Sequence, residues 1–378
     1  MNRSFVPSLL LAAALTACGG AAAPASAPSS PASPPATAAA SAKPAASAPS
    51  SAAASAKPAA SGSAAGAPAV SGPPAPSGAV KISSFYSTLS ATFTVMWVAK
   101  EAGIFQKNGL DVDVQLLQNP AGTTALLANQ VQIGLSGAAD MLGPVTSGAD
   151  LQALATTTPT YPYAFEVASS IKSPADLKGQ KLGVSQPGGS DYVAMLAMLP
   201  KLQIDPSKDV NLLFVGGIPQ RTAALLGGNI VGTLTSPPET LLIESKGYHP
   251  LVDLASLNLP AATGVLTAQK AWIQANHPIV QKYVDSLMEA IARVKSDRSY
   301  TEQIMGKYLK LDDKTSLDAT YDFFALKMLP DVPDLTADQF HDAVETLSKS
   351  NAKVASVDLS SVIDDSFVQD AVKRGVGK

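Results

Sequence analysis

Cysteine is almost missing from this 378-residue chain: Cys18 is the only one, so no intramolecular disulfide can form. Histidine is nearly as scarce. His249, His277 and His341 are the three present, and none lies within four residues of another, so no local metal-ligand spacing exists. No phosphate-binding loop of the Gly-rich, Lys-Ser/Thr type occurs. Charge is thin as well. Charged residues make up 15% of the chain, the net charge is −3, and there is no basic stripe, which argues against a nucleic-acid partner. Beyond the first residues, no run reaches the ~20 apolar residues that a membrane-spanning helix needs, so the body reads as soluble. These absences leave no metal site, no cofactor motif and no cysteine nucleophile in the body, and the chain reads as a non-enzyme.

What is present begins with the leader. Arg3 precedes an apolar run from Phe5 to Leu15, too short to span a bilayer. This layout predicts a secretory signal peptide over residues 1–17. Leu15-Thr16-Ala17-Cys18 resembles a bacterial lipobox. The resemblance implies cleavage before Cys18 and a lipid anchor on it. The other reading is an ordinary signal peptide with a chance cysteine. Gly19 follows, so the Asp that retains some lipoproteins at the inner membrane is absent. The expected location is extracytoplasmic, anchored in the periplasm or on the outer face of the cell membrane.

Residues 18–78 are nearly all Ala, Ser, Pro and Gly, with charge only at Lys43 and Lys57. A segment from Ser41 to Ser47 recurs at Ser55 to Ser61. Nothing here can bury enough apolar surface to offset the entropy of ordering, so a disordered tether or a glycosylated stalk is expected. A flexible coil of about 60 residues spans about 40–45 Å, and proline stiffening extends it.

The body, from about residue 79 to Lys378, is long enough to divide into two lobes. Val80–Tyr86 is predicted as a strand and Ala91–Glu101 as a helix stopping near Gly103. Leu110–Leu116 alternates with period two, the mark of a half-buried strand. Further strands are predicted at Val131–Leu135, Leu151–Ala155, Lys181–Val184 and Ile230–Leu234. Asn211-Leu212-Leu213-Phe214-Val215 reads as a fully apolar strand. Helices fall between them, one announced by Ser173-Pro174-Ala175-Asp176, with a cap, an N1 proline and a first-turn acid. Repeated strand–helix–strand units imply a mostly parallel sheet with helices on its faces. The last third is helical. Ile279, Val280, Tyr283, Val284, Leu287, Met288 and Ile291 mark one helix face, and Thr336 with Gln339 forms a capping box.

Three stretches carry a family resemblance: Glu101 to Val112, Ala125 to Gly134, and Ile171 to Val184, the last reading Ile-Lys-Ser-Pro-Ala-Asp-Leu-Lys-Gly-Gln-Lys-Leu-Gly-Val. Together they resemble the nitrate/sulfonate/taurine-type substrate-binding proteins of ABC importers, a group that also includes thiamine-precursor binders. The resemblance covers essentially all of 79–378. It implies an α/β, two-lobed periplasmic-binding-protein-like (type 2) fold with a two-strand hinge. Lobe 1 would be 79–165 plus 260–378, and lobe 2 would be 166–259. The hinge is expected near Phe165-Glu166-Val167 and Thr263-Gly264-Val265.

In such sheets ligands sit beyond the carboxyl ends of the strands, where helix N-termini offer free N–H groups. That rule selects Tyr86, Ser87 and Thr88 after the first strand, and Gly137 and Ala138 after the third. In the second lobe it selects Gly188, Gly189, Ser190, Arg221 and Ser236. Gly188-Gly189-Ser190 is the most suggestive, because two glycines admit close backbone approach. It is also an ordinary turn and cap. Arg221 is either an anion-binding fork or a solvated first-turn residue. Tyr161, Tyr163 and Tyr192 are possible cleft walls, while Asp191 and Glu239 would repel an anion and keep a neutral or cationic ligand open.

The resulting expectation is a monomeric solute-binding lipoprotein that captures a small molecule and delivers it to an ABC permease. A ligand-sensing subunit for a membrane receptor shares these features. Enzymes on the same fold are the remaining alternative. The sequence leaves the ligand open among a small anion, a sulfonate and a heteroaromatic precursor.

Overall fold

The structure, a computed structural model, describes residues 77–378. The leader 1–17, Cys18 and almost all of the 18–78 segment lie outside the described residues. The described strands are β1 Val80–Tyr86, β2 Leu110–Leu116, β3 Ile133–Ser136, β4 Leu151–Thr160, β5 Ala164–Val167, β6 Lys181–Val184, β7 Asn211–Phe214, β8 Gly232–Thr235, β9 His249–Asp253 and β10 Pro260–Gln269. They form two five-stranded sheets, ordered β2-β1-β3-β10-β4 and β7-β6-β8-β5-β9. Helices flank both sheets, giving the two-lobed α/β architecture.

The two orders are one pattern used twice. Each sheet has a parallel trio, β2-β1-β3 or β7-β6-β8, built by strand–helix–strand units. Beside the trio runs one antiparallel strand, β10 or β5, and then an outer strand, β4 or β9. The antiparallel strand is the one the chain makes just after crossing from the other lobe. The crossings lie at 161–163, between β4 and β5, and at 254–259, between β9 and β10. The expected hinge tripeptides Phe165–Val167 and Thr263–Val265 fall inside β5 and β10 instead.

The sequence rhythm locates the parallel trios and misses the antiparallel strands. In β10 the residues from Ala261 to Ala268 are all buried, so no inside–outside alternation marks it. β7 forms where its apolar run placed a strand. Its apolar run forms the edge of the second sheet, and Leu213 and Phe214 are 37% and 55% exposed.

The C-terminal third covers the first lobe. The His277–Ser296 helix buries Val280, Tyr283, Val284, Leu287, Met288 and Ile291, and packs on the Thr94–Glu101 helix. Trp97 is fully buried and stacks on Tyr308 with ring centroids 4.5 Å apart. The His341–Ser348 helix packs against Ala138–Thr146 in the first lobe and against Ser190–Lys201 in the second. At its start, Asp342 Oδ2 accepts a hydrogen bond of 3.1 Å from the Tyr161 hydroxyl, next to the first crossing.

Candidate functional site

The carboxyl ends of the parallel trios face each other, and a cavity of about 110 Å³ lies between them. From the first lobe come Ser87, Thr88 and Ser90 after β1, Gln118 and Asn119 after β2, and Asp140 after β3. From the second come Ser185, Gln186, Gly189, Ser190 and Asp191 after β6, and Gly216, Gly217 and Arg221 after β7. Pro162 and Tyr163 of the first crossing, with Thr263 of β10, close the back.

Arg221 holds the second-lobe wall together. Its side chain is 3% exposed, and Nη1 lies 3.4 Å from Asp191 Oδ2, itself 7% exposed. Nε donates to Thr233 Oγ1 at 3.1 Å, Nη1 to the Gly216 carbonyl at 2.7 Å, and Nη2 to the Leu234 carbonyl at 3.1 Å. The reading of Arg221 as a solvated residue is thus corrected. Its fork ties the loop after β7 to β8, and its charge is matched by Asp191. Asp191 in turn accepts from the Ser185 backbone at 2.7 Å and from the Ser185 hydroxyl.

Asp140 is the counterpart in the first lobe, and among the described residues it has no cationic partner. Oδ2 caps the Gly137 amide at 3.0 Å, and Oδ1 accepts from Gln186 Nε2 across the cleft at 3.3 Å. Burial pushes its pKa up to about 6, and the charge of Asp191 adds to this. The Gly137 amide, Asn119 and Gln186 oppose the rise. The buried Thr88 hydroxyl on the same wall has no protein partner.

Of the ten positions selected from sequence, Ser87, Thr88, Gly189, Ser190 and Arg221 line this cavity. The other five are placed elsewhere. Tyr86 points into the first-lobe core, its ring 5.6 Å from both Phe93 and Trp97. Gly137 lies where the lobes touch, and a Cβ there would collide with Ser190 Oγ. Ala138 borders a smaller neighbouring void with Ser190. Gly188 has a φ of +78°, and a Cβ there would look toward Leu347 of the lobe-bridging helix at 4.0 Å, away from the cavity. Ser236 is buried at the end of β8. Tyr163 is on the wall, Tyr161 is buried beside Asp342, and Tyr192 packs on Phe214 at 5.8 Å. Glu239 is off the lining. Its pKa rises to about 7 through burial, against the opposing charge of Arg221.

Asp140 and Asn119 were missed. In the sequence Asp140 is one more first-turn acid, indistinguishable from Asp176, which caps Ser173 on the surface. Among the described residues, His341, Asp342 and Glu345 have ligand atoms within 4.8 Å of one another, on the bridging helix and outside the cavity. No helix of the described residues is long and apolar enough to cross a membrane.

Known proteins with the same build use it in different ways. A Brucella abortus protein that carries the name of a binding protein is 24% identical over 227 residues, spanning 57% of this chain and 67% of that one. The alkanesulfonate-binding protein SsuA from Xanthomonas axonopodis pv. citri, solved with MOPS bound, superposes with a TM-score of 0.61 at 18% identity, covering 77% of this chain and 97% of that one. The desulfurization enzyme DSZB superposes with a TM-score of 0.55 at 18% identity, covering 78% of this chain and 99% of that one. At these identities the solved structures establish the fold, a periplasmic-binding-protein fold. The sequence profile of the NMT1/THI5-like family matches residues 90–297, more than half of the chain. The chain therefore belongs to the NMT1/THI5-like family.

Proposed function

We propose that this chain is an extracytoplasmic solute-binding protein of the ABC-importer type, tethered to a bacterial membrane through a lipidated Cys18 and acting as a monomer. The observation that carries the proposal is a cavity lined by side chains of both lobes, which are joined by two chain crossings. A molecule touching both walls stabilises the closed arrangement over the open one by its differential affinity. The closed shape is what a permease would recognise. The names of the Brucella and Xanthomonas relatives agree with capture and delivery. The cavity wall holds no cysteine and no histidine, so it lacks the usual nucleophile–base pairs, which favours binding over a reaction like that of the desulfurization enzyme.

The test is a thermal melt of the exported chain against nitrate, bicarbonate, taurine, alkyl sulfonates, small amines, pyrimidines and aromatic acids. A ligand that binds only the folded state raises Tm by mass action. A shift confined to one chemical class is the expected result, and a flat response to every class would overturn the proposal. The anchor is tested separately. Cys18→Ser should release the chain from the membrane fraction, and unchanged membrane recovery would remove the lipid.

A further inference from the structure

Three charged side chains line the cavity: Asp140, Asp191 and Arg221. Arg221 and Asp191 answer each other at 3.4 Å. The other guanidinium contacts go to Thr233, Gly216 and Leu234. The wall is left with one uncompensated carboxyl, that of Asp140. Two backbone donors near the wall are also taken by these acids. Asp140 takes the Gly137 amide at the head of the Ala138–Thr146 helix, and Asp191 takes the Ser185 amide beside the Ser190–Lys201 helix. Each helix thus carries its own acid in its first turn. Negative charge therefore already stands at two of the helix starts along the wall, while the Ile218–Leu226 helix start carries no acid.

Resting on the solute-binding reading, we infer that the ligand carries a cationic nitrogen, held by Asp140. The remaining wall suits such a group. Phe93 and Tyr163 put aromatic rings on the wall, and aromatic rings attract organic cations. The unpartnered Thr88 hydroxyl and the Gln118 side chain supply acceptors for N–H donors. The cavity of about 110 Å³ suits a small ligand. A compact amine or amidine fits these terms. An alkyl sulfonate without an amine would meet a carboxylate with no cationic partner and no free cation.

Binding should then follow the ionisation of Asp140. The groups facing it are Asp191 and Arg221 from the second lobe, Tyr163 from the crossing, and the uncharged Asn119 and Gln186. Affinity for a cation rises as pH climbs through about 6, where burial places this carboxyl, and levels off above.

The experiment is calorimetric titration of the exported chain at pH 5 and pH 8. The probes are ethanolamine, propylamine, 4-aminopyridine, taurine, ethanesulfonate and nitrate. Taurine and ethanesulfonate differ only in the amine. The expected result is binding by at least one amine-bearing probe, tenfold or more tighter at pH 8, with ethanesulfonate and nitrate silent. Asp140→Asn keeps an oxygen for the Gly137 amide and should abolish binding with its melting curve intact. The pH dependence of the unaltered protein gives a readout that needs no variant. Binding of ethanesulfonate or nitrate, or amine binding unchanged by pH and by Asp140→Asn, overturns the cationic ligand and leaves solute capture standing. Silence from every probe overturns both.

Discussion

Arg221 and Asp191 meet at 3.4 Å on the wall of the interlobe cavity, with 3% and 7% of their side chains exposed. A buried pair of this kind contributes little net stability when intact, but losing one partner strands the other charge. Arg221→Ala should therefore destabilise the protein by about 3–5 kcal/mol in urea unfolding, because Asp191 and the Gly216 and Leu234 carbonyls lose their donor together. Asp191→Asn should cost less, since an amide still accepts from the Ser185 backbone. Equal, small effects from both would show that the pair is not coupled to folding.

The contact of Gly137 with Ser190 makes a prediction about closure. Gly137→Ala places a methyl where Ser190 Oγ now sits. The expected outcome is a larger radius of gyration in small-angle scattering and weaker ligand binding, with Tm little changed. Gly137→Ala combined with Ser190→Gly should recover both. Failure of the second change to rescue would mean that the lobes meet elsewhere.

The two neighbouring glycines should separate. Gly188 has a φ of +78°, so Gly188→Val strains the backbone by about 1–2 kcal/mol and should lower stability while leaving affinity nearly unchanged. Gly189→Val drives a Cβ into Ser185 Oγ beside Asp191 on the cavity wall, and should lower affinity. Paired melts and titrations of the two variants check this. An affinity loss in Gly188→Val with normal stability would return that residue to the site.

Glu166, on β5, is fully buried, and both carboxylate oxygens lack a hydrogen-bond partner. Burial, with the nearby charge of Glu244 adding to it, raises its pKa to about 8. The folded state therefore holds a proton that the unfolded chain, titrating near ~4.3, gives up. Its stabilising effect is complete at low pH and is lost as pH rises through about 8. Tm should fall between pH 6 and pH 8.5, and Glu166→Gln should flatten that fall. An identical pH profile in the variant would assign the titration to another group.

Much of the scaffold was legible in the chain itself. β1, β2 and β6 lie where the sequence placed them, because period-two alternation and flanking turn residues are local signals. The capping box at Thr336 and Gln339 was equally plain. β10 was not, because a strand covered on both sides shows no alternation. Nor was the edge position of β7, since an apolar run does not say how many neighbours it will have.

The site divides along the same line. The carboxyl-end rule led to Ser87, Thr88, Gly189, Ser190 and Arg221, all of which reach the cavity wall. It also led to Tyr86 and Gly188, whose directions depend on which face of β1 meets the helices and on where the bridging helix lies. By itself, the sequence determined the strand–helix order, the family and the loops that could face a ligand, because these rest on short-range pattern and composition. Only the tertiary structure decided that Arg221 is neutralised and Asp140 is not. That difference depends on charges brought within a few ångströms by residues far apart in the chain.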